Sequence, residues 1–170
     1  MKKIIIIFIP ALFPLFLFAQ RHPANDFTAT TTNNETVSLS SYLSKGPVYI
    51  SFWALWCEPC KSELKILHNL HKIYSEKGLT IVTINLDTQK SLAKVKSYIS
   101  AKNYKFPVLL DPNSEILEKF NGESIPFSLL LNSAGKVVKA HTGFLPGDEK
   151  IIEKEFIEIL SSSDSGQKSD

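Results

Sequence analysis

The chemistry of this chain is concentrated in one stretch, ISFWALWCEPCK, residues 50–61. It holds Cys57 and Cys60, the only 2 cysteines among 170 residues. They follow an apolar run and precede a helical pattern, so Cys57 falls at the mouth of a helix. Unpaired backbone N–H groups and the positive end of the helix dipole favour a thiolate there. Such sites lower a cysteine pKa from ~8.5 to about 3.5–7.5. Thiolate is the species that attacks a disulfide, and Cys60, one turn on, is placed to break the resulting mixed disulfide. Pro59 stiffens the first turn. As a mere staple the pair is poorly placed, because closing so short a loop gives only about 2 kcal/mol against ~4.7 for a hundred-residue loop. As metal ligands with His68 and His71, the cysteines give C-x2-C-x7-H-x2-H, which lacks the ~12–15-residue gap of a finger. The two histidines read instead as surface helix residues. Reversible redox use of Cys57–Cys60 is the expectation. Glu63 shares a helix face with Cys60 at i+3. It is either a buried carboxylate that takes the Cys60 proton or an exposed side chain paired with a lysine.

The elements that must position these residues are legible in the periodicity. DFTATT (26–31) and ETVSL (35–39) alternate and flank a turn-like TNN, which predicts a hairpin. SLSSYLSKG predicts one helical turn ending at Gly46. PVYISFWAL (47–55) is apolar throughout and predicts a strand covered on both faces. From Pro59 to Gly78, Leu64, Leu67, Leu70, Ile73 and Tyr74 recur on one helical face. LTIVTINL (79–86) predicts a second buried strand, and SLAKVKSYISAKN (91–103) a helix with Ser91 as N-cap. FPVLLD (106–111), SEILEKF (114–120), a hairpin from FSLLLN (127–132) and VVKAH (137–141), and a terminal helix over 147–160 complete the pattern. Strand–helix–strand alternation followed by a late hairpin implies an α/β fold. It has a mixed central sheet, flanking helices and an extra N-terminal hairpin.

The ends of the chain read differently. Lys2 and Lys3, then fifteen apolar residues from Ile4 to Phe18 closed by Ala19, predict a secretory signal peptide over 1–19. The run is short of the ~20 residues of a membrane span and contains Pro10 and Pro14. No cysteine lies at the cleavage point, which excludes lipid attachment there. Removal leaves 170 − 19 = 151 residues, a single domain over 20–160. The remaining polar tail, 161–170, is expected to be disordered. The whole chain carries a net charge of +2, and with no Lys/Arg cluster it gives no footprint for nucleic acid or an anionic membrane.

With these residues in view, the chain resembles the thioredoxin superfamily over about residues 24–160, and more narrowly the exported TlpA/ResA-type thiol–disulfide oxidoreductases. FWALWCEPCKSE carries the resemblance, with Glu58, Pro59 and Glu63 close to the ResA type. The resemblance implies that Cys57 is the nucleophile and Cys60 the resolving cysteine. It implies that Pro126, in SIPFSLLLN, is the family's cis-proline and that Ile125 before it offers backbone to a substrate strand. It also implies that Glu63 couples to cysteine protonation. Trp56 then shields Cys57 and touches substrate, and Glu58 is exposed, its charge opposing thiolate formation. Thioredoxins place a buried acid six residues before the first cysteine. Here that position is Ser51, which raises the weight on Glu63.

The function this implies is disulfide exchange with exported proteins, in the periplasm or on the outer face of the cell membrane. The protein would act as a reductant recharged by a membrane thiol carrier of the DsbD/CcdA type. Apocytochrome c, and hence cytochrome c maturation, is the substrate class the ResA likeness suggests. No cofactor beyond the cysteine pair, no metal and a monomer are expected. A Sco-like copper-delivery protein is disfavoured because that family uses CxxxC and a histidine where this chain has Glu123 and Ser124. A DsbA-like oxidase is disfavoured because there is no room for its helical insertion. A peroxidase is disfavoured because Ala54 stands where a Thr or Ser is needed.

Overall fold

The computed structural model describes residues 25–165; the expected signal peptide, 1–19, lies outside them. Seven strands form one sheet in the order β2-β1-β5-β4-β3-β6-β7. The strands are β1 (Thr28–Thr31), β2 (Thr36–Ser38), β3 (Val48–Trp53), β4 (Thr80–Asn85), β5 (Val108–Leu110), β6 (Phe127–Leu131) and β7 (Val137–Thr142). The helices are α1 (Leu39–Leu43), α2 (Glu58–Tyr74), α3 (Leu92–Ala101), α4 (Glu115–Lys119) and α5 (Asp148–Ser165). β3, β4 and β5 pair in parallel, whereas the β1–β2 and β6–β7 hairpins pair antiparallel internally and against their neighbours in the sheet. This is the mixed sheet with an added N-terminal hairpin that the pattern implies.

β3 lies between β4 and β6, and all six of its residues are buried. Its period of two divides the molecule. Tyr49 and Trp53 face a core shared with Leu64, Leu67, Leu70 and Phe156 of α2 and α5. Val48, Ile50 and Phe52 face a second core with Leu39, Leu43, Ile116 and Leu117 of α1 and α4. Ser51, on the first face by the same alternation, is the polar residue beneath α2. At the entry to β3, Gly46 has φ +141 and a Cβ there would lie 2.2 Å from the Gly78 carbonyl oxygen. Only glycine lets the two loops close this tightly.

Three expectations are corrected. Ile73 is 47% exposed, whereas Leu64, Leu67, Leu70 and Tyr74 are buried; at 3.6 residues per turn Ile73 falls at the edge of the apolar stripe. Ser91 occupies the N-cap of α3 but makes no side-chain cap bond. The preceding turn, Gln89–Ser91, is itself a 3-10 helix, so its backbone is already helical (φ −92, ψ −4). α5 runs to Ser165, five residues beyond the apolar pattern. Ser161 and Ser162 donate their hydroxyls back to the carbonyls of Glu158 and Ile159, which ties the added turn to the helix.

Candidate active site

The chain leaves β3 at Trp53 and turns tightly, the Cys57 N–H bonding the Ala54 carbonyl at 3.1 Å. Asp87, in the loop after β4, holds this turn: its Oδ2 accepts from Leu55 N–H and from Asn85 Nδ2, both at 2.8 Å. Cys57 is then the N-cap of α2, its Sγ accepting from the Cys60 N–H at 3.3 Å. Sequence reasoning did not single out Asp87 or Asn85. Their signal is two polar residues closing the apolar run LTIVTINLD, where a parallel strand ends beside its neighbour's functional loop.

Cys57 and Cys60 form a disulfide with Cα atoms 5.3 Å apart. Cys57 is 5% exposed and Cys60 is fully buried, so an incoming thiol or disulfide meets Cys57 first. Trp56 stands beside it, 72% exposed; an indole this open is available for contact with another chain. Glu58 is exposed as expected, but it is not an isolated charge: Lys61 Nζ bonds its Oε1 at 2.6 Å. That ion pair offsets part of the opposition to a Cys57 thiolate. Pro59 occupies the first turn of α2.

The Ile125–Pro126 peptide is cis, and Pro126 directly precedes β6. Ile125 packs between the two apolar cores, one of which contains both cysteines. The Pro126 carbonyl accepts from the Gly143 N–H at 2.7 Å, which ties the loop after β7 to the same place.

Glu63 is fully buried, not paired with a lysine. Tyr49 donates its hydroxyl to Glu63 Oε1 at 3.2 Å and lies 2.8 Å from Ser128 Oγ. Ser51 donates to Glu63 Oε2 at 2.9 Å. Burial pushes the Glu63 carboxyl up from 4.5 to about 7; the bonds from Ser51, Tyr49 and Ser128, and the charge of His141, act in the opposite direction. Ser51, standing where thioredoxins carry an acid, here holds the acid supplied by the helix. Tyr49 and Ser128 escaped the sequence reading because a tyrosine and a serine within apolar strands look like ordinary core positions.

His68 and His71 lie apart from this group. Both are half-buried rather than surface residues, the His68 ring against Tyr104 and the His71 ring edge-on to Phe106. Burial lowers both imidazoles from 6.5. Among the described residues no group of three or more His, Cys, Asp or Glu is placed to hold a metal.

Comparison with known proteins agrees with this geometry. The model of the AhpC/TSA family matches residues 21–145. The thiol-disulfide oxidoreductase ResA of Bacillus subtilis is 35% identical over 120 residues, 71% of this chain and 65% of that protein. ResA of Bacillus thuringiensis subsp. konkukian is 32% identical over 71% of this chain and 68% of its own. The chain belongs to the AhpC/TSA family and, within it, to the ResA-like thiol–disulfide oxidoreductases. It spans about two thirds of the length of these relatives. The crystal structure of StoA from Bacillus subtilis superposes with a TM-score of 0.64 at 27% identity, covering 80% of this chain and 98% of that one.

Proposed function

We propose that the protein exchanges disulfides with exported proteins and runs as a reductant, its dithiol renewed by a membrane thiol carrier. The observation that carries this reading is the pairing of a buried Cys60 with a buried carboxyl on the same helix face, held near neutrality. In the reductive cycle the Cys57 thiolate attacks a substrate disulfide and forms a mixed disulfide. Cys60 must then lose its proton, deep in an apolar core, to attack Cys57. A carboxylate with a pKa near the working pH accepts that proton efficiently. The Cys57–Cys60 bond forms, the substrate sulfur leaves as thiolate, and two electrons have passed to substrate.

The likeness to ResA supports exported thiol proteins as substrates, with apocytochrome c as the specific proposal and the periplasm or outer membrane face as the place. No helix among the described residues is long and apolar enough to cross a membrane; a thiol carrier embedded in the membrane would be the donor.

The test is the reduction potential of the pair, read from the dithiol fraction in dithiothreitol buffers. A value near about −270 mV, as in thioredoxin, is expected. A value near about −120 mV, as in DsbA, would make the protein an inserter of disulfides and remove the reductant reading with its apocytochrome substrate.

A further inference from the structure

Glu63 is sealed from solvent on the cysteine side by α2 and β3, but it is not sealed everywhere. On its far side lies a cavity of about 260 Å³ lined by Glu63, Ser128, His141, Thr142, Gly143 and Phe144 among others. A buried water needs only a small fraction of that volume, so there is room for several. The sheet register explains the placement. Ser128 of β6 pairs directly with His141 of β7, which puts the imidazole beside the serine that bonds Tyr49. His141 does not stand alone. Its Nε2 lies 2.8 Å from Glu155 Oε2, and Glu155 of α5 is only 7% exposed. Glu155 is thus held between His141 and Lys139 of β7.

We propose that His141, clamped by Glu155, is a positioning residue for the Glu63 proton: it faces the same cavity and holds Glu63 ready to accept, while the cavity gives the carboxyl access to water. This rests on the reading of Glu63 as acceptor of the Cys60 proton. Each reductive turn leaves Glu63 as a neutral acid; it is reset either by returning that proton to the Cys60 thiolate released when the pair is re-reduced, or by exchange with solvent through the cavity. The cysteine face offers no route to solvent, since Cys60 is fully buried. The cavity reaches the side of the molecule where His141 is part-exposed.

The charges facing the site come from every element around it. β3 supplies the Tyr49 phenol, α2 Glu63 itself, and β7 His141 and Lys139, the latter 3.9 Å from Glu155 Oε1. α5 supplies Glu155 and Asp148; Asp148 lines the cavity, but its Oδ2 is occupied by the Leu145 N–H at 2.8 Å. Among these, positive charge on His141 favours the Glu63 carboxylate, acting against burial.

The experiment follows the Glu63 carboxyl directly, by carbon-13 NMR titration of the oxidised protein, with Glu63→Gln to assign the signal. His141→Gln should raise its midpoint by about one pH unit, the size of one charge acting over roughly 12 Å at an effective dielectric of about 20. His141→Lys, which keeps a cation, should hold it near the original value. In parallel, the pH profile of the resolving step is measured by stopped flow on a preformed mixed disulfide. It should move with the midpoint in His141→Gln and lose its dependence near neutrality in Glu63→Gln. An unmoved midpoint and profile in His141→Gln would overturn the role of His141 and leave that of Glu63 standing. A Glu63→Gln protein with an unchanged profile would instead overturn the reading of Glu63 as acceptor.

Discussion

Replacing Glu63 by glutamine should stabilise the oxidised protein at neutral pH while slowing its chemistry. In the unfolded chain this carboxyl ionises near 4.5, and in the folded protein near 7. Between those values the native state holds a proton that the unfolded state has released. Stability contributed by this group therefore falls as pH rises through the window, is unaffected below it, and stays low above it. The gap corresponds to about 3 kcal/mol, a large share of the ~5–15 kcal/mol that holds a domain together. Glutamine keeps the shape and still accepts from Ser51 or Tyr49, but never ionises. Urea unfolding of both proteins at a series of pH values from 4 to 8 isolates the effect as a difference. The two stabilities should be similar at pH 4 and diverge by about 3 kcal/mol by pH 8, with Glu63→Gln the more stable. Curves that stay parallel across the range would show that Glu63 ionises like a solvated acid, and the argument from burial would be wrong.

Three further outcomes are expected. Cys60→Ser should accumulate a mixed disulfide between Cys57 and substrate, visible on a non-reducing gel, whereas Cys57→Ser should form none. Asp87→Ala leaves the Leu55 N–H without its acceptor and the Asn85 amide with only the Trp53 carbonyl at 3.5 Å, and should cost about 1–3 kcal/mol in urea unfolding with a loss of exchange rate. Phe156 is fully buried against the rings of Tyr49 and Tyr74, with centroids 5.1 and 5.5 Å away. Phe156→Ala should cost about 3–5 kcal/mol.

What was legible in the sequence was what depends on neighbours along the chain. The helix mouth at Cys57 could be read because an apolar run, a proline and a 3.6-residue period follow one another within a few positions. The i+3 spacing of Cys60 and Glu63 could be read for the same reason, but not whether Glu63 is buried. That depends on Tyr49 and Ser51, fourteen and twelve positions earlier, and on α5, whose contact with α2 leaves no trace in either helix alone. Ile73 fits the helical period and is still exposed, because period gives a face but not the width of what covers it. His141 and Glu155 look like ordinary polar residues of an edge strand and a terminal helix. Only the β6–β7 register and the docking of α5 bring them to the cavity.

The placement of α5 also orders events in time. The cysteines, β3 and α2 are all made before residue 80, but Phe156 and Glu155, which cover Tyr49 and hold His141, lie in the last helix described. Until that helix docks, the Ile151 and Ile152 wall of the cavity beside Glu63 is missing, and the carboxyl is expected to be more hydrated and closer to an ordinary glutamic acid. A chain still emerging, or one whose last helix has come loose, already carries both cysteines at the mouth of α2 but lacks a tuned proton acceptor. Its thiols could be oxidised or captured, yet the resolving step would be slow at neutral pH. Completion of the fold thus acts as the switch that turns a reactive cysteine pair into a cycling one.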